Sequence, residues 1–227
     1  LELGRLMVKI GNRAERETIA YITDMEQPLG LAIGNAIEVI EAIEVLKGSG
    51  HPDLLTLCLE FAAEMMRMAE IESDKSKAVA KLKDSIDTGK ALEKFSEIIK
   101  NQGGNPKVIQ DYSLFPQAKY ELEVTAAQDG YVSKIDGVRL GTTAMKLGAG
   151  RQKKDDVIDP AVGIWIYKKV GDEVNKGEAF AKILANDRAK LDWAKDEVKE
   201  AFEFDLKPTE KRKVIWAKIT GDKTAKF

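Results

Sequence analysis

TDMEQPLGLAIGNAIEVIEA, residues 23–42, is the stretch that decides how this chain is read. It runs from the end of an apolar strand (Thr18 to Thr23) through a loop, Asp24 to Gly34, carrying Pro28, Gly30 and Gly34. A helix follows, with Asn35 at its N-cap position and Glu38 three residues on, the spacing of a capping box. Ile37, Ile40, Ile43 and Leu46 give this helix its apolar stripe, and Gly48-Ser49-Gly50 ends it. Strand, loop and helix in that order suggest an α/β sheet, which binds ligands in loops beyond the carboxyl ends of its strands.

Outward from this segment the texture changes twice. On the N-terminal side, Leu1, Leu3, Leu6, Met7 and Ile10 follow helical spacing from the first residue, with no capping residue ahead. That pattern reads as a piece of a longer chain. On the C-terminal side, Pro52 and Asp53 open a helix to about Ala69 with so many Leu, Phe and Met residues that burial on most sides is expected. Amphipathic helices follow at about Lys75 to Thr88 and Ala91 to Asn101. Gln102-Gly103-Gly104-Asn105-Pro106 then concentrates structure breakers, which places a domain boundary between 1–103 and 104–227.

Beyond that boundary the period is that of strands. Tyr120, Leu122 and Val124 alternate with charge, Asp129-Gly130 turns into Tyr131-Val132, and a short helix or loop occupies Thr142 to Gly150. Gly163 to Tyr167 and Ala179 to Leu184 read as strands around the turn-rich Val170 to Gly177. Asn186 to Phe204 reads as one helix, Val214 to Ile219 as a last strand, and Gly221 to Phe227 as a frayed end.

Composition sets bounds. The 227 residues are 44% hydrophobic and 33% charged with a net charge of −2, which makes no electrostatic case for nucleic acid or an anionic membrane. A single cysteine, Cys58, excludes an internal disulfide and any cysteine zinc cluster, and suits a reducing compartment. No apolar run reaches membrane-spanning length and no secretory leader is evident, so a cytoplasmic location is expected.

Few residues are candidates for chemistry. A Gly/Pro loop exposes backbone carbonyls, and Glu41 on the next helix adds a carboxylate, together a hard-cation set. The plainer alternative is that Gly30 and Gly34 only permit tight turns while Glu41 is solvated. His51, the only histidine, has no nucleophile placed beside it and sits where a helix entrance wants a polar group. Cys58 reads as a buried, inert thiol and Met65, Met66 and Met68 as core. Gly148-Ala149-Gly150-Arg151 lacks the Gly-Lys-Ser/Thr ending of a phosphate loop.

The wording DMxQPLGxAxGNAxEVxEA at residues 24–42 resembles the signature segment of the pyrimidine-nucleoside and thymidine phosphorylases. The resemblance runs from residue 1 to about Ile219, strongest from Ile10 to Ala42 and from Tyr120 to Ile183, and LGAGRxKKxDxID at residues 147–159 belongs to it. It implies the C-terminal half of such an enzyme: a portion of a mixed-sheet α/β domain, then an α+β domain with a barrel-sandwich core of the biotinyl/lipoyl kind. The parent activity implied is reversible phosphorolysis of a pyrimidine nucleoside to free base and pentose 1-phosphate. The implied partners are phosphate and nucleoside, with the parent a homodimer joined largely through a helical domain not contained here. The family's cation, potassium, is held in part by positions matching Leu29, Ala32 and Glu41, so the expectation is a half-built site with the Leu29 and Ala32 carbonyls and the Glu41 carboxylate converging at the C-terminal edge of the sheet. The phosphate- and base-binding motifs do not occur, so no catalytic or substrate-binding residue is assigned and the chain alone is expected to be inactive.

Three rivals stand beside this. One is a phosphorylase of nucleoside monophosphates, and another is a non-catalytic scaffold fragment. The last is a carrier module, because Val170 to Gly177 resembles the KVGDxVxKGE turn of biotinyl and lipoyl domains and Ala144-Met145-Lys146 their modified turn. The order opposes the carrier reading: in carriers the Gly-Asp turn precedes the modified lysine, and here it follows.

Overall fold

Residues 1–221 and 223–227 are described by a computed structural model. In chain order the elements are α1 (Glu2–Arg13), β1 (Ile19–Thr23), β2 (Ala32–Gly34), α2 (Ala36–Leu46), α3 (Pro52–Met68), α4 (Lys75–Asp87), α5 (Lys90–Asn101), β3 (Tyr120–Thr125), β4 (Gly130–Ile135) and α6 (Gly137–Ala144). There follow β5 (Gly163–Ile166), β6 (Glu173–Val174), β7 (Ala179–Ala185), α7 (Arg188–Glu200), β8 (Phe202–Asp205), β9 (Ile215–Thr220) and β10 (Lys223–Lys226). The contacts divide the chain into two units, one of Leu1–Met25, Leu55–Lys83 and Arg212–Phe227, the other of Glu26–Leu54 and Asp84–Lys211. The division falls inside the quoted segment, between Met25 and Glu26.

In the first unit β9 lies between β1 and β10, antiparallel to both. Helix α1 packs on this sheet through Gly4 and Val8, while Leu3, Leu6, Met7 and Ile10 stay exposed. A polar cluster ties α3 to the sheet. The Tyr21 hydroxyl lies 3.1 Å from Glu60 and 3.2 Å from Glu64, and Glu64 also accepts from Lys218 and from Arg67. Burial first, and then the two carboxylates, push the Tyr21 phenol far up from its ordinary value. Asp24 forms a bidentate pair with Arg212, at 2.7 and 2.8 Å.

The second unit contains two antiparallel sheets. One has the order β2-β5-β7-β3 and the other β6-β4-β8. Both sheets contribute to one core with α6 and α7, formed by residues such as Val124, Val132, Leu140, Ile164, Ile183 and Leu191. Phe180, 1% exposed, sits with its ring centroid 4.7 Å from Phe202 and 5.2 Å from Phe204.

This topology overturns the expected fold class. A barrel-sandwich core needs sheets that curl and close. Here β2 and β3 remain the two edges of one sheet and β6 and β8 those of the other, so both are open. Nor is there a mixed sheet, since every strand pair among the described residues is antiparallel. Three local readings change too. Residues 202–205 leave the helix and pair with β4, because Phe-Glu-Phe-Asp alternates with period two and turns both rings inward. The C-terminal tail forms β10 against β9 rather than fraying. Helix α3 buries only Ala63 and Glu64 fully; Cys58 is exposed and Met65 is 66% exposed, so its apolar composition does not make it a core helix.

Phe180→Ala removes the ring around which the two second-unit sheets pack. A loss of about 3–5 kcal/mol is expected for such a truncation, measured as a shift of the denaturant midpoint at unchanged slope.

Candidate functional site

The segment after Glu26 is fixed almost residue by residue. Gly137 N–H donates to the Glu26 carbonyl at 3.2 Å, and Val170 N–H donates to Gln27 Oε1 at 3.1 Å. The Lys169 ammonium donates to the carbonyls of Pro28 and Gly30, the latter at 2.9 Å. Leu31 and Ala32 N–H donate to the two oxygens of Glu41 at 2.6 and 3.3 Å, and the Leu31 carbonyl accepts from Ile166 at 2.8 Å. Within Gln-Pro-Leu-Gly, the Gln27 side-chain oxygen and the Pro28 and Gly30 carbonyls are thus committed to particular partners.

Gly30 is required twice. Its φ is +66°, in the left-handed region, and a Cβ there would lie 2.5 Å from Glu41 Oε2. The missing side chain lets the Glu41 carboxylate lie flat against residues 30–32. Helix α2 brings that carboxylate inward, one turn after Ile37, and Glu41 is 5% exposed. The solvated-Glu41 alternative is therefore wrong.

The expected capping box does not form. Glu38 accepts from Gly34 N–H at 2.9 Å, one residue earlier than the box prescribes. The Asn35 side chain instead donates to the Ala149 carbonyl at 2.8 Å, and the first helical N–H, that of Ala36, is met by the Pro160 carbonyl at 3.1 Å.

Of the three positions carried by resemblance, Glu41 and Ala32 are brought together directly. Ala32 opposes Trp165 on the edge strand β2, and its N–H turns away from β5 to reach Glu41. A strand residue presents its N–H and C=O on the same side. The Ala32 carbonyl therefore lies along the open edge beside Glu41. Leu29 belongs to the same loop and is 39% exposed. Neutral carbonyls and one carboxylate suit a hard cation. The two Glu41 oxygens retain further lone pairs beyond the N–H bonds they accept, so this donor set fits a potassium ion as a partial shell. Among the described residues there is no cluster of His, Cys, Asp and Glu side chains able to hold a metal ion.

Sequence reasoning missed two members of this site. Asp53, read only as a helix opener, receives His51 Nδ1 at 2.5 Å, Leu54 N–H at 2.6 Å and Gly30 N–H at 3.3 Å on one oxygen. Its other oxygen lies 2.8 Å from Lys169 Nζ. Lys169, one residue before the turn read at Val170 to Gly177 and not singled out there, is 5% exposed. The available signal was a lysine immediately before Val-Gly-Asp, where the turn aims it back at the sheet. His51 spends its Nδ1 on Asp53, away from any nucleophile.

The two carboxyls respond in opposite directions. Burial raises Glu41 from its ordinary value, and the backbone donors Leu31 and Ala32 offset only part of that rise. Burial would raise Asp53 as well, but hydrogen bonds from His51 and Lys169 and the lysine charge overcome it, holding Asp53 at about 2.

Lys146, the residue a carrier would modify, lies in a wide, π-type helical turn directly after α6, with its ammonium 5.4 Å from the centre of the Trp193 ring. Lys146 is exposed, but it stands in a helical segment and not at the hairpin tip of a carrier lysine.

Two outcomes follow from the carboxyl environments. Glu41→Gln keeps the shape but turns an amide donor toward Leu31 or Ala32 N–H; a loss of about 1–3 kcal/mol is expected from the unpaired donor, read from thermal or denaturant unfolding. Asp53 is depressed in the fold, so its contribution is present above the unfolded value of 3.8 and disappears as pH falls toward about 2. Asp53→Asn should cost about 2 kcal/mol at neutral pH, and the gap to the parent should close through that acid interval.

Residues 131–205 match the family described as the pyrimidine nucleoside phosphorylase C-terminal domain. The chain is 50% identical over 185 residues to the pyrimidine-nucleoside phosphorylase of Bacillus subtilis, covering 82% of this chain and 43% of that one. To the pyrimidine-nucleoside phosphorylase of Geobacillus stearothermophilus it is 45% identical over 218 residues, 96% of this chain and 50% of that one. To that of Staphylococcus epidermidis it is 47% identical over 184 residues, 81% and 42% respectively. The chain spans about half the length of these relatives, and it belongs to the pyrimidine-nucleoside phosphorylase family.

Proposed function

We propose that this chain is the part of a pyrimidine-nucleoside phosphorylase that presents an ion-ordered loop to the phosphate-binding half. The reaction is cleavage of a pyrimidine nucleoside by phosphate, giving free base and pentose 1-phosphate. The observation that carries the reading is the Glu41-anchored loop of residues 27–32, folded around the motif that the family resemblance marks. The Leu29 and Ala32 carbonyls and the Glu41 carboxylate hold a potassium ion from one side, as a partial shell. A bound ion there supplies positive charge and order beside a phosphate-binding segment.

Charge supports this assignment. Of the two carboxylates, Asp53 has Lys169 as its ion-pair partner, whereas Glu41 has only backbone donors. A monovalent cation relieves the burial penalty on Glu41. The chain's own role is to position oxygens and exclude water from them. No residue of it is assigned to proton transfer or to the nucleoside.

Phosphate with uridine, thymidine or deoxyuridine separates the parts of this reading. The 227-residue chain should release no free uracil or thymine above a protein-free control. A chimera that supplies the uncovered half from the Geobacillus stearothermophilus enzyme should release base only when phosphate is present. Release by the chain alone, or a phosphate-independent chimera, overturns the reading.

A further inference from the structure

Two carbonyls of one tight loop, Pro28 and Gly30, turn toward the same point, and Asp53 Oδ2 faces it as well. These are the oxygens a hard monovalent cation collects. None of them belongs to the Leu29, Ala32 and Glu41 set. At that point the chain places Lys169 Nζ, whose three N–H groups match the three acceptors one for one. The side chain is 5% exposed.

A buried ion pair alone needs only the carboxylate. Here two of the three acceptors are main-chain carbonyls with no helix or sheet partner, and a buried carbonyl left unpaired is costly. The same loop then sends Gly30 N–H to Asp53 and Leu31 and Ala32 N–H to Glu41. Its oxygens thus face a positive charge and its amides face negative ones.

We propose that Pro28 O, Gly30 O and Asp53 Oδ2 form a second monovalent-cation site, which the chain fills with its own ammonium. Lys169 is a positioning residue: a tethered cation that orders residues 27–32 without an ion from solution. This holds whether or not the chain takes part in phosphorolysis.

The test is chemical rescue in the 227-residue chain. Lys169→Ala should lower the melting temperature and lose the ordered Leu31 and Ala32 amide signals. Methylammonium chloride should restore more than half of the loss, with ammonium and potassium next. Choline chloride at equal ionic strength should restore none, since its bulk cannot enter. The parent protein should melt alike in methylammonium and choline, and a potassium response confined to the parent reports on the Glu41 side instead. Lys169→Ala/Asp53→Asn should lose the rescue. Equal melting of Lys169→Ala in methylammonium and choline overturns the proposal, as does equal rescue of the double variant. If Lys169→Ala does not fold in any salt, the parent decides: the Lys169 ammonium should give a slowly exchanging nitrogen resonance with couplings to the Pro28 and Gly30 carbonyl carbons, and a freely exchanging ammonium overturns the assignment.

Discussion

The bond set around Lys169 is the constraint on which the 26–41 segment depends. An ammonium out of water is expensive, and what makes it tolerable is complete satisfaction: every N–H has an oxygen. The arrangement is stringent in both directions. Without the lysine, two loop carbonyls and a carboxylate lose their partner; without Asp53, the ammonium keeps only neutral oxygens. Gln27, Gly30, Glu41 and Asp53 belong to one network with it, so changes at these positions should not be additive.

Much of the fold was legible because it is local. Helices α2 to α5 fall within a residue or two of their periodic stretches, since caps and apolar spacing are written in neighbouring residues. The strands around Val170 to Gly177 were legible for the same reason. What escaped was long-range. Strand β2 hides in what reads as loop, and becomes a strand only because β5 is beside it. Phe202 to Asp205 continues a helical pattern until β4 offers a partner. The apolar stripe of α1 was seen correctly, but periodicity does not say which face a helix buries, and Gly4 with Val8 won.

The candidate site divides along the same line. The resemblance led to Leu29, Ala32 and Glu41, and the structure places Glu41 against the loop. Lys169 and Asp53 escaped because their partners lie far away in sequence: 139 residues separate Lys169 from Gly30. The Val-Gly-Asp turn illustrates the hazard of local wording. Its likeness to carrier domains is real as a turn, with Gly171 at φ +91°, yet the short strand β6 within it pairs with β4 and the sheets stay open. A turn specifies its own geometry. Closure depends on strands elsewhere.

Why the loop needs two carboxylates is answered by how differently they are served. Asp53 has a lysine, a histidine and two amides, and stays ionised far into acid. Glu41 has only two amides and is raised by burial, so it is the under-compensated member. One fixed cation cannot serve both, because its three donors are already used. Asp53 therefore locks the loop permanently, while Glu41, lying along an open sheet edge beside the Ala32 carbonyl, remains the carboxylate whose ionisation gains most from a further positive charge. The loop can then be ordered from one side by the chain itself and remain responsive from the other. That asymmetry follows from the placement of one lysine.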